Sequence, residues 1–351
     1  MLDCNIVIFN EIVKDRFSGF NRIGLVSELP IWGNFFVKDV FEITGISRYP
    51  HSVITVVESK DLGKLLELLQ RHDTGDNIIV GRMGNLTVLD WSSLISKLKP
   101  ARGIIKVQVG KIPSDLYYVK KKYLINILKD FISNAGKGTV EKGFDYFPQF
   151  LFDDALFYNF ERIADIPGFS FFIRDSYEYY KENLRVVKYM RNNNFIRLYE
   201  RLRAKSSSNI TVGQGAVIIN SLLGNGASVL GRVEDSVIFN DVVISSDTVV
   251  KNSVILPLNV IEDGVKIVNS LVLGVDPRVI EKDSKIGIDR LFKNIQDPSH
   301  MSFSEVPGSE VSKSEVSRDE LVIVTEGVRI SEGSRIKPGD FVRNEVDSVL
   351  S

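Results

Sequence analysis

The chain has 351 residues, 44% of them hydrophobic and 25% charged, with a formal net charge of −1. That length leaves room for about two domains with sizeable cores. The near-neutral balance excludes a general electrostatic attraction to nucleic acid or to an anionic membrane surface.

A single cysteine, Cys4, excludes an intrachain disulfide framework and suits a reducing compartment. The first residues, MLDCNIVIFNEIVKD, carry Asp3 and only a short apolar run, unlike a signal peptide. No apolar stretch approaches the roughly 18 residues a membrane helix needs, so a cytoplasmic protein is expected.

Asn5 to Asn10 reads as a buried strand, and from about Phe35 an amphipathic helix runs to near Gly45. Ser52 to Val57 is a second strand. Asp61 to Gln70 is a helix whose Leu62, Leu65, Leu66 and Leu69 share one face, and Asn77 to Val80 is a third strand. Strand alternating with helix predicts a parallel α/β sheet, with any ligand beyond the carboxyl ends of its strands. The loop after Phe9 is therefore the first place to look for a site. It reads NEIVKDRFSGFNR. A phosphate cradle needs glycines so that backbone N–H groups can approach the ligand, whereas Glu11 here would repel a triphosphate and Ile12 and Val13 are branched. Gly19 reads as an ordinary turn glycine.

Other chemistry is thinly represented. His51, His72 and His300 show no metal spacing. Gly136-Lys137-Gly138-Thr139 lacks the full phosphate-loop spacing, and Lys120-Lys121-Lys122 reads as a solvated helix start. Asp175 to Tyr199 is a charged, aromatic connector with helical spacing, expected to dock one domain on the next, and Ser206-Ser207-Ser208 marks the boundary.

Beyond it the sequence repeats with a period of six. Val237, Val243, Val249, Ile255, Ile261, Ile267 and Leu273 form one ladder, with Val212 and Ile218 before it and a one-residue slip between Ile218 and Val237. Such a period predicts a hexapeptide β-helix with one aliphatic side chain stacked inward per face. After Leu273 the ladder breaks, and Ser302 to Ser317 has the composition of an exposed loop. Val324, Ile330, Ile336 and Val342 then return at six-residue intervals, with Gly327, Gly333 and Gly339 in step, predicting a last coil that rejoins the β-helix. The expected domains are 1–174, a helical connector 175–208, and a coil 209–351 with an irregular insertion near 275–320.

From Ile8 to Asp39 the chain resembles, without gaps, the start of the ADP-glucose pyrophosphorylases, the glucose-1-phosphate adenylyltransferase family. The family's glycine loop G-G-x-G-T-R-L falls on Glu11 to Phe17, where only Arg16 matches. Pro30, Gly33 and Asp39 match further on, while the family's pyrophosphate lysine falls on Val26. The family's first metal aspartate falls on Arg82, its sugar-phosphate lysine on Phe144, and its second metal aspartate on Phe172. Gly143, Asp145 and Pro148 are kept. Between about Gly81 and Leu116 the chain is much shorter than the family's sugar-binding region. In the coil, Asp235-Ser236-Val237-Ile238-Phe239 and Lys251-Asn252-Ser253-Val254-Ile255 resemble family strings.

The resemblance covers most of residues 5–275 and implies a Rossmann-like nucleotidyltransferase domain, degenerate at its site, followed by a left-handed hexapeptide β-helix. It is closest to the family's second, site-degenerate subunit type. Glu11, Ile12, Val26, Arg82, Phe144 and Phe172 stand where family site groups are lost. The resemblance then implies a non-catalytic regulatory or scaffolding subunit in ADP-glucose and glycogen synthesis. Its partner would be a catalytic subunit, itself, or both, through the β-helix. No cofactor is expected; magnesium would enter only if the chain were a working adenylyltransferase, the second reading. A hexapeptide acyltransferase is the third, opposed by the absence of histidine from residues 206–299. Arg16 and Arg22, in the loop replacing the cradle, are candidates for holding a sugar-phosphate or nucleotide effector; solvated loop charges are the plain alternative.

Overall fold

The computed structural model describes residues 4–13, 17–43, 46, 49, 51–55, 59–71, 75–89, 91–98, 104–109, 112–135, 160–166, 168–190, 195–197, 199–200, 209–274, 278–281, 283–287, 316–326 and 328–343. Its first part comprises β1 (Cys4–Asn10), β2 (Pro30–Ile31), β3 (Phe35–Phe36), α1 (Val37–Ile43), β4 (His51–Thr55), α2 (Ser59–Gln70), β5 (Asn77–Arg82), β6 (Asn85–Leu89), α3 (Trp91–Leu98), β7 (Ile104–Val109), β8 (Ile112–Lys120), α4 (Lys121–Ala135), β9 (Phe160–Ile166), β10 (Gly168–Phe172) and α5 (Ser176–Tyr189).

The main sheet has the order β4-β1-β5-β8-β7-β9. β1 lies parallel to β4 and β5, as the strand–helix alternation predicts. β8 is antiparallel to both β5 and β7, so the sheet is mixed rather than parallel. Residues 110 and 111 alone separate β7 from β8, far too few for the crossover that parallel neighbours require. One face is covered by α2 and α4, whose Leu62, Leu65, Leu69, Leu124 and Leu128 pack on Val7, Phe9, Ile78, Val80, Tyr117 and Val119. β10 pairs antiparallel with β6 in a separate ribbon.

From Thr211 the chain winds into a parallel β-helix of three sheets. The first face begins at Thr211–Val212, the second at Val217–Ile219 and the third at Leu222–Leu223. The interior stack passes through Ile238, Ile244, Val250, Ile255, Ile261, Ile267 and Val272. This corrects the sequence ladder. Ile255, Ile261 and Ile267 do point inward, but Val243 and Val249 are one residue out of phase and half-buried, and Val237 and Leu273 are buried on the coil's outside.

The cause is the corner between the second and third faces. Asn220, Asp235, Asn252 and Asn269 occupy it with φ of 45°, 47°, 48° and 51°, a left-handed conformation that Asn and Asp tolerate best among residues with a Cβ. That sharp corner shortens the step from Val250 to Ile255 to five residues. A turn consequently spans 17 residues, as from Val237 to its partner Val254, rather than 18. Each corner residue is followed by a serine. Ser236, Ser253 and Ser270 donate their backbone N–H to the hydroxyl of the serine one turn earlier. The slip before Val237 has the same kind of origin, because Leu222 pairs with Val237 after only 15 residues.

The predicted return of the chain to the coil is present. Val272 pairs with Val324, Ile280 bridges Ile330, Ile286 pairs with Ile336 and Val324 with Val342.

The third face is apolar on its outer side as well as its inner one. Leu222, Val237, Phe239, Val254, Leu256, Leu271 and Leu273 share a single core with Phe20, Trp32, Phe35, Tyr179, Tyr180 and Phe195 of the first part and connector. The α5 helix lies in this seam, capped by Asp175, which accepts from Glu178 N at 2.9 Å, and Tyr180 donates its hydroxyl to Asn252 O at 2.6 Å. The α5 helix thereby touches both the first part and the coil. At the seam's edge Gly33 (φ 82°) and Gly224 meet closely: a Cβ on Gly224 would lie 2.6 Å from Gly33 O and 2.6 Å from Asn240 N. Beside them Asn225 N donates to Asn34 Oδ1 at 2.6 Å.

Gly224→Ala should therefore lower stability by about 1–3 kcal/mol, the usual cost of overpacking against atoms that cannot move aside. Urea unfolding followed by far-UV circular dichroism measures it as a lowered midpoint.

Candidate functional site

The carboxyl ends of β1 and β5 are where the sheet topology directs a search for a site. Glu11 follows β1 directly and Arg82 ends β5, and the two side chains meet. Arg82 donates Nε–H to Glu11 Oε1 at 3.1 Å, and its Nη2 closes on the same oxygen. Both residues are buried, Arg82 3% and Glu11 7% exposed. Asp115 of β8 stands 3.8 Å from the other guanidinium branch. Burial raises the Asp115 carboxyl above its ordinary value, more than the neighbouring Arg82, Arg174 and Lys106 lower it.

The surrounding backbone closes on this cluster. The segments either side of residues 14–16 pair with each other: Ile12 bridges Leu25, Val13 N donates to Gly24 O at 3.0 Å, and Val26 N donates to Glu11 O at 2.9 Å. Among the described residues, the N–H groups of Val13, Phe17 and Val26 are spent within the chain. Val26 is buried at 1% exposure in a 3-10 turn, Val26–Glu28, and Asn10 and Ser27 exchange two hydrogen bonds beside it. From the other side Gly84 admits Ile173: a Cβ on Gly84 would lie 2.5 Å from Ile173 O and 2.7 Å from Glu11 Oε2. Asn85 fastens this lid by donating to Ser170 Oγ at 2.9 Å and Phe171 O at 3.0 Å, and it accepts from Asp115 N at 2.6 Å.

The rest of the loop is turned toward the coil. Asn21 and Arg22 donate their backbone N–H groups to Glu326 Oε2 at 3.1 and 2.9 Å, and Gly19 packs against Leu273. Phe20 meets Tyr179 edge-on at 5.2 Å, and Ser176 Oγ donates to Ser18 O at 2.9 Å. Gly19 has φ of 94° and abuts another element, so its role exceeds that of an ordinary turn glycine.

The sequence-derived positions thus separate into groups. Glu11, Ile12, Val26 and Arg82 come together at the sealed strand ends. Phe172 lies at the edge of the β6–β10 ribbon with the Arg174 guanidinium over its ring at 4.9 Å. Arg22 is exposed, its backbone held by the Glu326 carboxylate, whose charge disfavours an anion close by. Arg16, Phe144, His72, His300, the Gly136–Thr139 stretch, Ser206–Ser208 and Ser302–Glu315 lie outside the described residues. His51 sits in β4. Asp115 and Asn85 were not legible as site residues, because nothing in the sequence marks β8 as the neighbour of β5. Among the described residues no group of three or more His, Cys, Asp or Glu side chains could hold a metal. Magnesium does not fit at Glu11 and Asp115, since the guanidinium between them would repel the ion.

Comparison with known proteins finds similarity in the coil and, distantly, to adenylyltransferases. Residues 204–305 match the family model described as GlmU-like, C-terminal hexapeptide. Two proteins called glucose-1-phosphate adenylyltransferase, from Desulfitobacterium hafniense strains DSM 10664 / DCB-2 and Y51, are each 25% identical over 169 residues. The match covers 48% of this chain and 36% of either relative, so it spans little more than a third of their length. The chain is distantly homologous to these adenylyltransferases and carries a hexapeptide coil.

Removing one partner of a buried ion pair leaves the other charge uncompensated. Arg82→Ala should cost about 3–5 kcal/mol, whereas the double variant Glu11→Leu/Arg82→Met should recover most of that loss in denaturant unfolding. Asp115 behaves oppositely to a salt-bridged carboxylate. Its raised folded value means that its favourable contribution is complete below its unfolded value near 3.8 and is lost as pH rises through the folded value. Asp115→Asn should therefore raise the unfolding midpoint more at about pH 7 than at about pH 4.

Proposed function

We propose that the chain is a non-catalytic regulatory or scaffolding subunit of a glucose-1-phosphate adenylyltransferase, acting in ADP-glucose and glycogen synthesis. The observation that carries this reading is the buried Glu11–Arg82 pair. Two positions that resemble a phosphate loop and a metal aspartate hold side chains that satisfy each other. Nucleotidyl transfer stabilises charge developing on phosphoryl oxygens and needs a metal ion and open N–H or cationic groups at that place. Here the N–H groups of Val13, Phe17 and Val26 are bonded within the chain and the Arg82 guanidinium is paired with Glu11.

What remains intact is the frame. Pro30 and Gly33, which match the family where its chemistry does not, belong to the segment that meets the coil: Tyr179 donates its hydroxyl to Pro30 O, and Gly33 abuts Gly224. A chain retaining its interdomain seam after the site has closed is suited to acting through its surfaces on a catalytic partner. An anionic effector on Arg16 and Arg22 belongs to the same proposal.

The test is to assay ADP-glucose formation from ATP and glucose 1-phosphate with magnesium. The chain alone should form none, and its addition to a catalytic subunit should change that subunit's rate or effector response. Turnover by the chain alone would remove the proposal in favour of a working adenylyltransferase. Arg16→Ala/Arg22→Ala should blunt the effector response of the mixture; an unchanged response would remove the effector part only.

A further inference from the structure

Residues 316–326 bring the chain back to the coil, and they touch the first domain and connector at both ends of that stretch. At its start Tyr177 donates its hydroxyl to Val316 O at 2.8 Å. Arg318 donates Nη2–H to Asp175 Oδ2 at 2.8 Å, and its guanidinium lies over the Tyr177 ring at 4.8 Å. Asp175 is the residue that caps α5. At the far end the buried Glu326 carboxylate accepts the N–H groups of Asn21 and Arg22, and Glu326 N donates to Gly19 O at 3.4 Å. Between these ends Gly19 fits against the coil without a Cβ, which would lie 2.7 Å from Leu273 Cδ1 and 3.2 Å from Thr325 Cγ2.

The two sides of this contact are unequally supported. On the coil side Val322–Val324 pairs with Ser270–Val272 and with Phe341–Val342, and Gly339 N donates to Glu320 O at 3.3 Å. On the other side, among the described residues, the one regular element between β1 and β2 is the 3-10 turn Val26–Glu28. The inner end of that loop is bonded to the strand ends, through Phe17 N to Val13 O at 3.1 Å, Val13 N to Gly24 O and Val26 N to Glu11 O. Its outer end is bonded to Glu326, and Phe17, Phe20 and Tyr179 join the two edge to edge, with centroids 6.0 and 5.2 Å apart. Segments with little regular structure of their own open at lower free energy than the elements beside them. A buried carboxylate stripped of its donors is costly until water reaches it, so bonded and solvated arrangements are favoured over anything between.

We propose that Glu326 and Arg318 form a clasp by which the returning segment holds residues 17–26 shut over the strand ends. On release of the clasp this loop and the backbone around Glu11 open together, exposing the Glu11–Arg82 pair while the coil stays folded. The first domain then has a sealed and an unsealed state, and the choice between them is made by residues about 300 positions further along the chain. Glu326 is the stronger half, since its carboxylate takes two N–H groups in a buried place, and hydrogen bonds to an ionised acceptor exceed neutral ones. Arg318, with its side chain 61% exposed, is the weaker half. The clasp is independent of the regulatory reading above, because it describes a motion of this chain alone.

Amide hydrogen exchange of the full chain, read by mass spectrometry on peptides covering residues 9–13, 17–26 and 237–256, provides the test. In the unaltered chain residues 17–26 should exchange faster than residues 237–256. Glu326→Ala should speed exchange in 17–26 by about ten- to a hundredfold, the range spanned by hydrogen bonds to a charged group, and in 9–13 by a similar factor, with 237–256 unchanged. Arg318→Ala should act in the same direction by a smaller factor. Acceleration confined to 17–26 would make Glu326 a local pin and overturn the proposal. So would equal acceleration of all three regions, which is loss of global stability, or no acceleration at all. Should Glu326→Ala fail to fold, the exposed Arg318→Ala decides by the same three-way comparison.

Discussion

The outer side of the third coil face is apolar, and that constraint shapes the molecule. A β-helix ordinarily buries one side of each strand and leaves the other to water, but Val237, Phe239, Val254, Leu256, Leu271 and Leu273 cannot be left there together. Covering them requires a complementary apolar surface, supplied by α5, Phe20, Trp32 and Phe195. Once that surface is committed to the coil, the loop after β1 is committed too. Phe17 and Phe20 are buried in the seam, and the N–H groups of Asn21 and Arg22 close on Glu326. Residues Phe17 to Arg22, fastened in this way, are not free to wrap a ligand.

The same economy operates at the strand ends. A buried guanidinium is tolerable only when paired and hydrogen-bonded, as is a buried carboxylate. Arg82 and Glu11 meet that requirement for each other, and Asp115 adds a second, longer-range partner at 3.8 Å. Opposite charges within contact distance leave each of the two paired with the other.

Much of this was legible in the sequence, unevenly. The strand of Asn5–Asn10, the leucine face of α2 and the return of the coil through Val324, Ile330, Ile336 and Val342 follow from periodicity alone. The register of the coil did not. Aliphatic residues come in pairs here, Val237-Ile238, Val249-Val250 and Val254-Ile255, so a line drawn every six residues can pass through either member. Only the left-handed φ of Asp235, Asn252 and Asn269 decides which one faces inward. Glu11 and Arg82 were each visible as departures from a family pattern, 71 residues apart, but their partnership depends on β1 and β5 lying side by side. The direction of β8 was hidden in the closeness of Val109 and Ile112 along the chain. The apolar outer strip was hidden because hydrophobic alternation describes what a strand buries, not on which of two sides.

The central claim is that the strand ends of the first domain are filled by the chain's own side chains. Equilibrium binding of magnesium–ATP to the isolated chain, by calorimetry at millimolar nucleotide, tests it most directly. The account predicts no saturable heat. Saturable, magnesium-dependent binding that disappears when Glu11 or Arg82 is replaced would place a nucleotide where the ion pair stands and contradict it.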